Sequence, residues 1–107
     1  MTAVAPQPGA VQIGEASRPQ LPRHIRLQRD EARQRWVIQA PERVLVPDET
    51  AVEILQMTDG TTTVAAMVDR LAAKYQAPRS TIAADVVALL QDLADQGYLI
   101  DRRGSPP

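Results

Sequence analysis

Residues 40–50 read APERVLVPDET. A short apolar run, Glu42 to Val46, lies between Pro41 and Pro47. Proline has no N–H to give to a ladder, so a strand bordered by prolines belongs at the edge of a sheet. Just beyond it, Asp48 is placed to cap a helix by accepting from the free N–H groups of the first turn, and Glu49 complements the dipole. The stretch therefore marks the passage from strands to helices. It also leaves an apolar edge open to pairing by another chain.

Upstream, HIRLQRD (24–30) alternates Ile25 and Leu27 with Arg26 and Gln28, the pattern of a half-buried strand. DEARQ supplies a turn, and RWVIQA (35–40) follows as the antiparallel partner. Trp36 and Ile38 share one face of that strand and Val37 takes the other, so its inward face stays open at this level. Residues 1–22 hold four of the nine prolines and show no periodicity, which predicts a disordered tail or linker before a folded domain over 23–102, with 103–107 as a disordered end.

Downstream, DETAVEILQMT (48–58) places Ala51, Ile54, Leu55 and Thr58 on one helical face, and Asp59-Gly60 is the expected stop. Thr61 or Thr62 is the expected cap of a second helix, whose core stripe is Val64, Met67, Val68, Leu71 and Tyr75. Ala77-Pro78 breaks the chain, and Ser80 or Thr81 is expected to cap a longer third helix with Ile82, Val86, Leu89, Leu90 and Leu93 as its main stripe. Ala83, Val87, Leu90 and Ala94 form a shoulder that widens its apolar arc to about 160°, against about 100° for packing on one neighbour. Gly97 ends the helix before a short extended piece, Tyr98 to Ile100. The fold class is α+β: a three-stranded antiparallel sheet followed by three helices, winged helix-turn-helix-like.

Composition narrows the chemistry. The chain has 107 residues, no cysteine, no phenylalanine and one histidine, so a disulfide framework, a thiolate nucleophile and a Cys/His zinc site are all excluded. His24 beside the tail is a poor imidazole base, Asp92 and Asp95 alone are a weak cation site, and the five glycines build no phosphate loop. No enzyme activity and no cofactor are expected. No signal-peptide or membrane-spanning pattern is visible, which makes the cytoplasm the default location. The net charge of -1 hides an asymmetry: residues 1–46 carry seven arginines against four acids, whereas residues 47–101 carry nine acids against three cations. Two solvated faces of opposite sign explain this most simply.

DNA binding is the ordinary use of a helix-turn-helix. Here the third helix carries Arg79 but also Asp85, Asp92 and Asp95, which phosphates would repel, so a winged-helix regulatory role survives only as an alternative resting on the strand arginines. The remaining possibility, which the residues alone do not rank above simple packing, is strand addition of a peptide to Glu42–Val46, with the Ala83, Val87, Leu90 and Ala94 shoulder as the far wall of a groove. The same shoulder would also suit packing on the sheet or on a second copy.

RLQ at 26–28, Pro41-Glu42, Glu49-Thr50-Ala51 with Ile54-Leu55, Asp59-Gly60 and Asp85-Val86-Val87 together resemble the PqqD family of pyrroloquinoline quinone (PQQ) biosynthesis, over about residues 24–101. Arg43, Tyr98 and Pro47 depart from the usual pattern. The resemblance implies a non-catalytic peptide chaperone that binds the ribosomal precursor peptide PqqA and presents it to the radical S-adenosylmethionine enzyme PqqE. It implies a recognition site made of Arg43, Val44, Leu45 and Val46 with Ala83, Val87, Leu90 and Ala94. The iron-sulfur cluster would belong to the partner enzyme, since this chain has no cysteine to hold one. No nucleic acid or membrane partner is implied, and the expected state is a monomer or weak homodimer.

Overall fold

The computed structural model describes residues 11–103. Five strands and three helices follow in the order β1 (Pro19–Gln20), β2 (Arg26–Asp30), β3 (Arg35–Ala40), β4 (Arg43–Leu45), α1 (Glu49–Leu55), α2 (Val64–Tyr75), α3 (Arg79–Asp95) and β5 (Ile100–Asp101). Strands β2, β3 and β4 form an antiparallel sheet in that order, with Leu27 opposite Ile38 and Ile38 opposite Leu45. The edge position read from the two prolines is therefore the observed one. The hairpin turns through Glu31–Gln34, where Gln34 takes a left-handed φ of 53° and donates its side-chain amide to the Glu31 carbonyl at 2.7 Å.

The register resolves the open question about β3. Ile38 and Ala40 turn towards the helices and are buried, Trp36 lies on the same face and is half-buried, and Val37 is buried on the opposite face. The core beneath the sheet joins Ile38 and Ile54 to Val64, Met67 and Val68 of α2 and to Val86, Leu90 and Leu93 of α3. Met67 is fully buried, as a flexible gap-filling side chain should be.

Helix boundaries depart from expectation at several caps. Asp48 caps α1 as expected, accepting from Ala51 N at 2.8 Å, but α1 ends at Leu55, well before Gly60. Asp59 instead organises the link: one carboxylate accepts from the backbone N–H groups of Thr61 and Thr62 and from both hydroxyls. With those two threonines engaged by Asp59, Thr63 caps α2 through Ala66 N at 3.1 Å. Helix α3 starts after Pro78 with no side-chain cap, and Ser80 and Thr81 lie inside it. Tyr75 leaves the core stripe: it is 53% exposed, beyond the last turn that the core covers, and its hydroxyl donates to Glu53 of α1.

The largest difference concerns the expected tail. Residues 1–10 and 104–107 lie outside the described residues, but residues 11–22 are packed rather than loose. Ile13, Ser17 and Pro19 are buried, and β1 pairs with β5 as a second, two-stranded sheet. This strap takes up backbone groups that α2 cannot satisfy itself, because Val64 N donates to Ser17 O at 2.9 Å and Ala65 N to Glu15 O at 3.0 Å. Arg79 at the start of α3 ties it further by donating to both Glu15 oxygens and, at 2.6 Å, to Asp69 of α2. Arg103, assigned from sequence to the disordered end, donates to Gln12 O at 3.3 Å.

Candidate peptide groove

Strand β4 is short because Pro41 and Pro47 bound it, and its outer edge has no strand partner among the described residues. Alongside that edge a groove of about 300 Å³ opens between β4 and α3. Its floor and near wall are Ile38, Leu45, Val46, Ala51 and Leu55, and its far wall is Leu89, Asp92 and Leu93 of α3 with Gln96, the residue that caps the helix. These four residues fall at i, i+3, i+4 and i+7, which places them on one helical face. Asp92 is held there by Gln96, whose side-chain amide donates to its carboxylate at 3.1 Å. Asp48 sits at the mouth with its carboxylate already engaged as the α1 cap.

Past the other end of β4 a further hollow of about 270 Å³ is lined by His24, Arg43, Gln96 and Tyr98, among others. The Arg43 guanidinium lies 6.0 Å from the centroid of the Tyr98 ring, and Tyr98 is itself buried. Gln96 lines both hollows, so they read as one furrow running along β4 from Pro47 to Arg43.

The eight residues expected to make the site divide between two places. Leu45 and Val46 line the groove, Arg43 lies at its Tyr98 end, and Val44 projects from the opposite face of the sheet beside Val37 and Gln39. Val44 and Val46 are 53% and 55% exposed. Ala83, Val87, Leu90 and Ala94 are not brought to this groove. At about 100° per residue they lie roughly 140° around α3 from its far wall. Leu90 and Ala94 are buried in the core, and Ala83 and Val87 are half-buried against it.

That flank of α3 already has an occupant. Gln91, one turn beyond Val87, accepts from Ile13 N at 2.9 Å and donates to Val11 O at 2.5 Å. The wide apolar arc thus arises because α3 touches the sheet side and the strap as well as α2. Leu89 and Leu93 stood in the main stripe of the sequence reading, Asp92 was read there only as part of a weak cation pair and as a charge that phosphates would repel, and Gln96 was not singled out, because polar side chains interrupt an apolar pattern. Their shared helical spacing was the available signal.

A charged cluster lies on the far side of α1. There Glu53 accepts from Lys74 and from the Tyr75 hydroxyl, and these bonds, that from Lys74 foremost, hold its carboxyl below the usual range. Among the described residues no cluster of His, Asp and Glu is suited to a metal ion, and no helix is long and apolar enough to cross a membrane.

Comparison with known proteins places the chain in a family and agrees with the fold. Residues 35–99 match the family described as coenzyme PQQ synthesis protein D (PqqD). The PqqA binding protein of Rhodopseudomonas palustris strain BisB5 is 61% identical over 97 residues, covering 91% of this chain and 95% of that protein. The PqqA binding protein of Bradyrhizobium diazoefficiens is 57% identical, over 90% of this chain and 93% of its own. Among solved structures, the solution NMR structure of the PqqD truncation of Methylobacterium extorquens PqqCD aligns with a TM-score of 0.70 and 36% identity, over 86% of this chain and 97% of that one. That protein is described as a functional and stand-alone recognition element for ribosomally synthesized, post-translationally modified peptides. With the family pattern spanning the β3 start to the end of α3 and relatives matching nearly end to end, the chain belongs to the PqqD family.

Proposed function

We propose that this protein binds the precursor peptide PqqA as an added strand on β4 and presents it to the radical S-adenosylmethionine enzyme PqqE, acting in the cytoplasm as a monomer or weak homodimer. The observation that carries the reading is the apolar groove open along the free edge of β4, between Leu45 and the Leu89–Leu93 wall. The relatives named as PqqA binding proteins supply the ligand.

Magnitudes say which part of the groove selects the peptide. Four main-chain hydrogen bonds at about 1 kcal/mol net each do not offset the ordering of five peptide residues at roughly 1 to 2 kcal/mol apiece. Two or three apolar peptide side chains, each contributing about 1.5 to 3 kcal/mol on full burial, reverse that balance. The recognition set is accordingly Arg43, Val44, Leu45 and Val46 for pairing, with Leu89, Asp92, Leu93 and Gln96 as the selecting wall. The core and strap side of α3, with Ala83, Val87, Leu90 and Ala94, supports that wall from behind.

A DNA-binding role has less support. Helix α3 exposes Asp85, Asp92 and Asp95, and its one arginine, Arg79, is engaged by Glu15 and Asp69. The test is amide chemical-shift mapping during titration with PqqA. Shifts are expected at residues 43–47 and at 89–96 on the groove side. Shifts confined to the strap, or none at saturating peptide, would reject the reading.

A further inference from the structure

Two depressions flank α1, and the reading above uses only the one beside β4. The other is larger, about 740 Å³, and its apolar lining comes from Trp36 of β3, Pro47, Val52 of α1 and Tyr75 of α2. We propose that this cleft is a second subsite of the same peptide site, taking an apolar side chain from the stretch of peptide that runs on past Pro47. The proposal rests on the reading of the β4 groove as the peptide site.

The first argument is continuity. Strand β4 stops at Leu45, opposite Ile38, whereas β3 runs on to Arg35. Strand β2 covers one edge of β3 from Arg35 to Gln39, and β4 pairs with the other edge only from Ile38 to Ala40, so Arg35–Val37 keep that edge without a strand partner among the described residues. Trp36 and Ile38 lie on one face of β3, about 7 Å apart. Ile38 lines the groove beside β4, Trp36 lines the cleft, and Pro47 lines both. An extended chain leaving the β4 groove at its Pro47 end therefore meets the open edge of β3 and the Trp36 ring next.

The second argument is that the cleft, although most of its lining is charged or polar, Arg29, Arg35, Glu49, Glu53 and Lys74 among it, sets two aromatic rings over an apolar patch made with Pro47 and Val52. Aromatic side chains concentrate binding energy because they bury a large area with few torsions to freeze. Trp36 is half-buried, with the Arg29 guanidinium 6.0 Å from its ring centroid. Tyr75 is 53% exposed, yet its hydroxyl is fixed to Glu53, which also receives Lys74. An exposed tyrosine tethered at its polar end, with the Lys74 ammonium 5.2 Å from its ring centroid, has less freedom to lose on binding than an untethered one.

Trp36 is the only tryptophan of the chain, so its indole N–H gives one signal in isotope-labelled protein. Unlabelled PqqA is titrated into that protein, in full length and shortened from each end, while the amides of β4 and the Trp36 indole are followed together. The full-length peptide is expected to move both, and one truncation to move β4 alone. Tyr75→Ala, whose fold is checked by circular dichroism, is expected to weaken full-length binding roughly ten-fold, as loss of one apolar contact should. A β4 response without any indole response, and with affinity unchanged in Tyr75→Ala, overturns the second subsite and leaves the β4 reading intact. An indole response that appears only when a second protein is added also overturns it, assigning the cleft to that protein. Absence of any β4 response removes the underlying reading and the subsite with it.

Discussion

The side-chain amide of Gln91 holds the backbone at Ile13 and, two residues earlier, at Val11 as a strand partner would, accepting from Ile13 N at 2.9 Å and donating to Val11 O at 2.5 Å. Both contacts are partly buried, and together they fasten the strap to α3. Gln91→Ala is expected to cost about 1 to 2 kcal/mol, the loss of two hydrogen bonds in a partly dry site. Urea denaturation measures that loss. Native-state hydrogen exchange is expected to show the Ile13 amide opening faster than amides of α2.

The two flanks of α3 separate binding from support. Leu89 is half-buried on the groove wall, so Leu89→Asp is expected to reduce PqqA affinity by roughly ten-fold or more, through one lost apolar contact and one introduced charge, with a smaller effect on folding. Val87 lies on the strap flank, so Val87→Asp is expected to lower the unfolding midpoint while the folded fraction binds peptide nearly normally. Calorimetric titration of both variants, paired with thermal melts, checks the contrast. Equal affinity losses would return the binding wall to the shoulder.

Strand order, the β4 edge, the Asp48 cap and the core stripes of α3 and, Tyr75 apart, of α2 were legible because each leaves a local mark: a proline, a capping residue or a helical period. The strap was not legible. Its order comes from carbonyls of Glu15 and Ser17 meeting the first N–H groups of α2, and from side chains more than sixty positions away, Arg79 and Gln91. Backbone acceptors of that kind have no sequence period, and prolines look the same in a packed extended segment as in a loose one. Which flank of α3 faces the groove was not legible for a related reason. A single apolar arc on α3 serves two neighbours, and spacing alone does not say which neighbour lies on which side.

Asp59 gives the fold an acid-sensitive link. Its carboxyl is held well below the usual carboxylate range by the backbone N–H of Thr62, then that of Thr61, with the two hydroxyls adding to the effect. The folded form therefore prefers the carboxylate more than the unfolded chain does. The stabilisation is complete above the unfolded value near pH 4 and declines as pH falls towards the folded one. Asp59→Asn is expected to lower the thermal midpoint at pH 7 and to flatten its fall between about pH 4 and pH 2. Thermal melts across that range make the comparison, and parallel curves for the two proteins would assign the acid sensitivity to other carboxylates.

Gly60, next in the chain, is required twice over. Its φ of +81° lies in the left-handed region, and a Cβ there would come within 3.0 Å of the Gln20 side chain on β1. Its N–H also donates to Pro19 O at 3.0 Å, so a shift of this turn pulls on the strap. Gly60→Ala is expected to destabilise by more than about 1 kcal/mol, because a left-handed alanine is disfavoured and the Gln20 contact adds to it. In the double variant Gly60→Ala with Gln20→Ala the Gln20 contact disappears, while the 3.3 Å approach to Arg102 Cγ and the backbone part stay, so recovery should be partial. Full recovery would mean that the turn tolerates a left-handed alanine and that the close approach to Gln20 alone demands glycine. The comparison is best read by urea denaturation at pH 7, where the Asp59 carboxylate is fully charged in both states.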